Sequence, residues 1–315
     1  DLIWDGVYGN DINDRILRRN GYKGFTDDFI QQVYSLNSKF IINEKSLFNN
    51  TIYYVKGSGY YETEKHEKTF YSYNLDFESG WENNITNLLR RKWIVNNYFG
   101  INPSYTLRLG KLRIDMGGEF RTYEGNHFGE VSNFSHLLLE DVDTPFKYYQ
   151  YVGKKYSITS YIHMTYSLSE KLSLSSELQY INHQWTMKQE KIGHALGHSI
   201  NANWKFINPR AGFNYQLLDN HTIFGKIGKS EKEPKDDQII DADEWSFNPK
   251  GAYPERIMDY EFGIYSSFSR FNALINLYHI NLENEVIENI DFEEAGQYDY
   301  NQTDKSIHEG IEFEM

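Results

Sequence analysis

The chain of 315 residues contains no cysteine, which excludes disulfides, thiolate zinc sites and cysteine nucleophiles within it. The absence is compatible with an oxidising compartment without specifying one. Long apolar runs are missing too. A stretch such as residues 94–107, IVNNYFGINPSYTL, stays free of charge for roughly 14 residues but carries Asn, Ser and Thr, so the apolar 20-mer of a membrane-spanning helix is excluded. Proline is scarce, at 6 residues, and basic charge is in deficit, with 32 Lys and Arg against 45 Asp and Glu for a net −13. A surface of that sign repels polyanions, so nucleic acid is not an expected partner. The chain starts at Asp1 with neither an initiator Met nor a signal-peptide pattern, and stops at Met315 inside a strand-like run. It therefore reads as a fragment or a processed chain.

What is abundant is aromatic: 26 Tyr, 20 Phe and 6 Trp, or 17 % of the chain. That content marks a folding chain, even at a mean hydropathy of −0.68. Its main signal is period-two alternation over long windows. In residues 111–121, Leu112, Ile114, Met116, Gly118 and Phe120 oppose Arg113, Asp115, Glu119 and Arg121. In residues 158–168, Ile158, Ile162, Met164, Tyr166 and Leu168 oppose Thr159, His163, Thr165 and Ser167. The windows 206–217 and 259–268 repeat the pattern, and helical spacing fits none of them.

About eleven strands are expected, near 29–42, 51–62, 92–108, 111–123, 149–168, 172–187, 203–217, 221–230, 256–268, 272–286 and 305–315. Short turns at Gly110, Ser169 to Lys171, Leu218 to Asn220 and Ser269 to Phe271 alternate with long connections near 63–91, 124–147, 188–202, 231–255 and 287–304. Short and long rims, with strands that are apolar on one side and polar on the other, are the pattern of an outer-membrane barrel. The fold class expected is all-β, an antiparallel up-and-down transmembrane β-barrel that is incomplete. Several strands exceed the roughly 9–11 residues that cross a bilayer and should project above it. Phe70, Tyr71, Tyr73, Tyr98, Phe99, Tyr148, Tyr149 and Tyr151 gather near strand ends, where an interfacial aromatic girdle is expected; the other reading is cross-strand pairing in a soluble sheet. Residues 231–255 hold eight acids against three bases, and residues 283–294 six acids and no base. These long connections are read as solvated acidic loops, with divalent-cation binding as the alternative.

Several segments together are similar to the barrel of TonB-dependent receptors, energised outer-membrane transporters for large nutrients. They are LIWDGVYGNDI (2–12), GSGYYE (57–62), NLLRRKW (87–93), GGEFRTYEGNHFGEV (117–131), NPRAGFNYQLLDNHTIFGKIGKSEKEP (208–234), PERIMDYEFGIYSSFSRFNALINLYHINLENEV (254–286) and KSIHEGIEFE (305–314). The order and spacing of the last three carry the resemblance, which spans essentially the whole chain. Beside it stand local roles: Asp219-Asn220 as turn chemistry, Pro209 near a strand start, Gly57 and Gly59 for close backbone approach, and Glu233-Pro234 as a strand stop.

The resemblance implies a barrel of about 22 strands around an N-terminal plug of roughly 150 residues. With about eleven strands, residues 1–315 correspond to the middle of such a barrel, without plug, energy-coupling box, opening or closing strands. Implied partners are outer-membrane lipid, a small metal chelate or similar nutrient, and the TonB energy-coupling complex acting through the missing plug. Implied location is the bacterial outer membrane. The commonest cargo of the family is a ferric siderophore or similar iron complex. A receptor for cobalamin, haem or an oligosaccharide, a passive porin, an outer-membrane enzyme and a soluble β-rich binding protein are the alternatives.

No catalytic motif is present: there is no G-x-S-x-G, Walker loop, Rossmann glycine run or H-E-x-x-H. The chain is not expected to be an enzyme or to hold a cofactor or metal. His194 and His198 in GHALGH are four apart, but in a glycine-containing connection. For ligand capture the candidates are Trp4, Arg90, Arg91, Trp93, Tyr123, His127, Glu130 and Trp245, placed in loops and at upper strand ends. Arg pairs bidentately with carboxylate or catecholate oxygens and aromatics stack on chelate rings. The structural alternative makes Arg90, Arg91 and Trp93 interfacial anchors, and has His127 and Glu130 hydrogen-bonded within their own loop.

Overall fold

The computed structural model describes residues 27–194, 196–241, 246–247, 252–290 and 298–315. Its strands are β1 (Asp27–Asn43), β2 (Ser46–Thr69), β3 (Ile85–Leu109), β4 (Leu112–Phe134), β5 (Phe146–Ser167), β6 (Leu172–Ile192), β7 (Ser199–Leu218), β8 (His221–Lys232), β9 (Ile240–Asp241), β10 (Ser246–Phe247), β11 (Glu255–Ser267), β12 (Asn272–Ile290) and β13 (Tyr298–Glu314). Eleven of them form one antiparallel sheet in the order β1-β2-β3-β4-β5-β6-β7-β8-β11-β12-β13, while β9 and β10 pair only with each other. The expected all-β, up-and-down architecture and the count of eleven are both met. Within the sheet each strand pairs with its chain neighbours, and β1 and β13 are the edges.

Alternation along each strand assigns the two faces. Phe48, Tyr105, Met116, Ile162 and Leu178 are successive cross-strand partners, and so are Ile52, Ile101, Phe120 and Ile158. From β7 onward the same face carries Ile207, Phe213, Ile227, Tyr260, Phe262, Leu277 and Ile311. Many of these side chains are exposed, among them Phe120, Ile158, Leu178, Phe262 and Ile311. A continuous exposed apolar belt next to the short turns is what a lipid-facing barrel wall presents. We call this face outer.

The inner face at the same level is polar and internally paired. Tyr53 donates to Glu119 at 2.7 Å, Glu177 meets Arg210 at 3.1 Å and His163 at 3.5 Å, and Lys226 meets Glu261 at 2.6 Å. Such pairs satisfy charges that line a lumen.

Short turns do connect β1 to β2, β3 to β4, β5 to β6, β7 to β8 and β11 to β12. Gly110 takes φ +57° in one of them, the left-handed region that glycine adopts without strain. Asp219-Asn220 is a tight turn as expected, and β8 stops before Glu233-Pro234. Three expectations are corrected. The long connections are shorter than the sequence suggested, because β2 continues to Thr69 and β3 begins at Ile85. Period-two patterning fades where both faces become mixed, so those strand ends read as loop. Pro209 lies inside β7, opposite Leu178, just where the β7 pairing with β8 begins at Arg210, so its missing N–H is not required on that side.

The third correction concerns the aromatic girdle. Phe70, Tyr73, Tyr148 and Tyr149 are buried with Leu75, Leu88, Val131 and Leu139 in a core where the connections after β2 and β4 fold together. Tyr98 and Tyr151 pair with Tyr123 and His127 on the inner face. Of the expected set, Phe99 alone is an exposed member of the outer belt. Tyr54, Tyr105, Tyr156, Tyr166, Tyr180 and Tyr215 are instead among the outer aromatics.

The upper strands extend well beyond the belt. β2 has 24 residues and β3 has 25, against roughly 9–11 needed to cross the bilayer. The surplus raises a wall roughly 45–55 Å long along the strand direction, at about 3.4 Å per residue. The connections fold onto this wall.

A candidate ligand-binding wall

Trp4 and Trp245 lie outside the described residues. The other six candidates are not in loops: Arg90, Arg91 and Trp93 belong to β3, and Tyr123, His127 and Glu130 to β4. They do not form one site, because consecutive strand residues point to opposite faces.

Arg91, Trp93 and Glu130 are on the outer face, above the belt. Arg91 donates to Glu62 at 2.6 Å and lies 4.7 Å over the Tyr60 ring. Trp93 packs between Tyr60 and Phe128, at 4.5 and 5.6 Å, and its Nε1 donates to Glu130 at 2.8 Å. Glu130 thus bonds across strands and not within a loop. Lys147 lies 4.0 Å over Phe128. These contacts tie β2 to β5 together on the outer face.

Arg90, Tyr123 and His127 are on the inner face. Arg90 is buried against Thr63 Oγ1, at 3.2 Å, and the Tyr61 ring. Tyr123 and His127 stand lower, in a connected aromatic group. Tyr98 and Tyr123 are 4.7 Å apart, the Tyr123 hydroxyl and His127 Nε2 are 3.0 Å apart, and His127 stacks on Tyr151 at 4.9 Å and 5°. Gly125 makes this possible, since a Cβ there would occupy the space of the Tyr123 hydroxyl and the His127 ring.

Sequence reasoning missed the charged half of this wall. Lys155, directly opposite Tyr123 on β5, lies 5.2 Å over the ring of Trp185 on β6. Arg121 reaches Tyr53 and acts electrostatically on Tyr98 and His183. His183 pairs with Ser157 at 2.8 Å. The available signal was parity: counted from Phe120 along β4, Arg121 and Tyr123 fall on one face, and the cross-strand partner of Tyr123 is Lys155. Tyr98, Arg121, Tyr123, His127, Lys155 and Trp185 make an aromatic and cationic surface within an acidic chain.

Residues 233–240 lie across it. The short helix α1 (Asp236–Ile239) follows β8, and Ile239 and Ile240 are buried against Trp185, Met187 and Ile200. Asp236 pairs with Lys155, Glu233 Oε2 lies 3.6 Å from His183 Nε2, and the Glu231 amide donates to the fully buried Asn208 side chain at 3.0 Å. The acidic stretch after β8, expected to be a solvated loop, is thus partly bound to the wall. Residues 242–245 and 248–251 of that stretch, and residues 291–294 of the second acidic segment, lie outside the described residues.

Burial between aromatic rings depresses the His127 pKa to about 4. The unfolded value is near 6.5, so the unfolded state binds more protons between these limits. His127 therefore weakens the fold as pH drops below about 6.5 and has no effect above it. Unfolding of the full-length protein at pH 7 and pH 5, with and without His127→Gln, is expected to show a larger acid loss in the wild type, by up to about 1.4 kcal/mol per pH unit. Burial also lowers the His194 pKa, opposed by the Tyr71 carbonyl that its Nε2 meets at 3.0 Å. Among the described residues no group of three or more His, Asp or Glu is placed to hold a metal ion, and no helix among them is long and apolar enough to cross a membrane.

Residues 2–315 match the family described as TonB dependent receptor-like, beta-barrel. The chain belongs to this TonB-dependent receptor family. The family is one of outer-membrane receptors and not of enzymes. Solved structures similar to this TonB-dependent barrel include the ferric-catecholate import receptor Fiu of E. coli K12, in its closed form, at 14 % identity and TM-score 0.61, covering 93 % of this chain and 45 % of that one. The ferric citrate transporter FecA is 13 % identical with TM-score 0.58, over 91 % and 39 %. The copper transporter OprC is 12 % identical with TM-score 0.67, over 90 % and 43 %. At such identities the likeness establishes the fold. The chain spans less than half the length of these structures. No curated protein sequence matches it.

Proposed function

We propose that residues 1–315 are the middle of an outer-membrane receptor barrel, about eleven of about 22 strands, whose parent imports a scarce nutrient. The proposed cargo is a ferric siderophore or a similar iron complex. The remainder of the parent supplies the plug and, through it, the contact with the TonB energy-coupling complex, while the outer belt meets membrane lipid. The observation that carries the reading is the match of the receptor family over residues 2–315. Iron is supported by the ferric-catecholate receptor Fiu and the ferric citrate transporter FecA among the similar structures. An anionic chelate also suits the wall, where Arg121 and Lys155 supply positive charge and Tyr98, Tyr123 and Trp185 supply stacking surfaces.

The test uses the full-length gene in a bacterial strain lacking its own iron receptors. Uptake of radiolabelled iron from ferric citrate and from a ferric catecholate complex is measured with and without TonB. TonB-dependent uptake of at least one complex is the expected result. Uptake of neither, with the protein folded in the outer membrane, overturns the iron assignment; uptake independent of TonB overturns the energised mechanism.

A further inference from the structure

Residues 233–240 do more than close a gap between strands. Two acids of this short segment, Glu233 and Asp236, sit opposite His183 and Lys155, and two isoleucines seat beside Trp185. A carboxylate on Lys155, with a carbon body against the neighbouring rings, is also how a carboxylate or catecholate ligand would engage the same surface. The Lys155–Asp236 ion pair is a weak holder. Lys155 and Asp236 have side chains 38 % and 47 % exposed, a setting in which a pair contributes little and exchanges partners readily.

We propose that the wall of Tyr98, Arg121, Tyr123, Lys155 and Trp185 is a binding subsite for a polycarboxylate or catecholate anion, and that residues 233–240 occupy it as a tethered stand-in, Asp236 holding the place of a ligand oxyanion. The proposal rests on the receptor reading for its ligand. An arriving anion exchanges with Asp236 at Lys155 and frees Ile239 and Ile240 from the wall. Ligand arrival is thereby converted into movement of a connection at the loop-bearing rim. The apparent affinity is lowered by the fraction of time the stand-in is seated.

The lack of cysteine in these 315 residues makes a direct test available. In the full-length receptor, with any cysteine elsewhere replaced by serine, Ile239→Cys is exposed to a maleimide in outer-membrane vesicles. Ile239 is 3 % exposed when seated, so labelling reports release. Glu233→Gln with Asp236→Asn is expected to raise the labelling rate about 1.5- to fivefold, the worth of one partly exposed ion pair. Citrate is the anionic probe and a neutral sugar alcohol the control. Citrate is expected to raise the rate in the Ile239→Cys background and not when Lys155→Gln is added.

An unchanged rate in the Gln/Asn double variant overturns the stand-in. Citrate that has no effect, or acts equally with Lys155→Gln, overturns the anion subsite. Should Ile239→Cys fail to fold, Ile240→Cys serves the same purpose, at 4 % exposure. Labelling reads the segment itself, so a protein that imports no iron can still pass this test, and one that imports iron can fail it.

Discussion

Phe70→Ala is expected to loosen the layer of connections above the sheet by about 3–5 kcal/mol while leaving the barrel wall intact. Phe70 is fully buried, with Trp81 at 6.2 Å and His136 at 4.9 Å, both edge to face. Its neighbours Tyr73, Leu75, Leu139 and Tyr148 come from two connections and the start of β5. Removing the ring opens a cavity at their junction, and the surrounding connections have no ladder to hold them in place. The measurement is limited proteolysis of the full-length receptor, cut within residues 70–84, beside thermal unfolding of the barrel. Fast cleavage with an unchanged barrel midpoint is expected. A lowered barrel midpoint without new cleavage would place Phe70 at the membrane interface instead.

Ile162→Arg carries the second large effect. Ile162 pairs with Met116 and Leu178 in the middle of the outer belt, and an arginine near the bilayer midplane of a barrel costs about 2–4 kcal/mol. Thr159→Arg, three residues away, points inward and faces Glu119 across the ladder, so its cost should be under about 1 kcal/mol. Folding of the two variants into lipid bilayers, followed by denaturant titration, compares them. Equal costs would deny that the two faces meet different solvents.

The fold was largely legible because alternation survives in single strands such as Leu112 to Phe120. Each such strand buries neither face in protein, so its lipid side stays apolar and its lumen side stays polar without compromise. The short turns carried their own chemistry in Gly110 and Asp219-Asn220. Legibility fell where connections fold back. Tyr148 and Tyr149 look like girdle residues, yet they fill the core beneath two connections, a contact between segments far apart in sequence. The candidate site suffered in the same way. Arg90 and Arg91 invite a joint role, but adjacent strand residues face apart, and only Arg90, Tyr123 and His127 turn inward. Lys155 and Asp236 meet across 81 positions, and no local pattern announces that pairing. The acidic segment after β8 read as solvated because charge density alone does not reveal that cations wait opposite it.

The central claim is that one face of this sheet meets lipid and the other a polar lumen. A nitroxide scan of residues 156–166 in the full-length protein, reconstituted in bilayers, tests it most directly. The account predicts strict alternation: even positions, including Ile158, Ile162 and Met164, relax with oxygen dissolved in lipid, and odd positions with a water-soluble nickel chelate. Uniform water access along the segment, or alternation of the opposite phase, would contradict it.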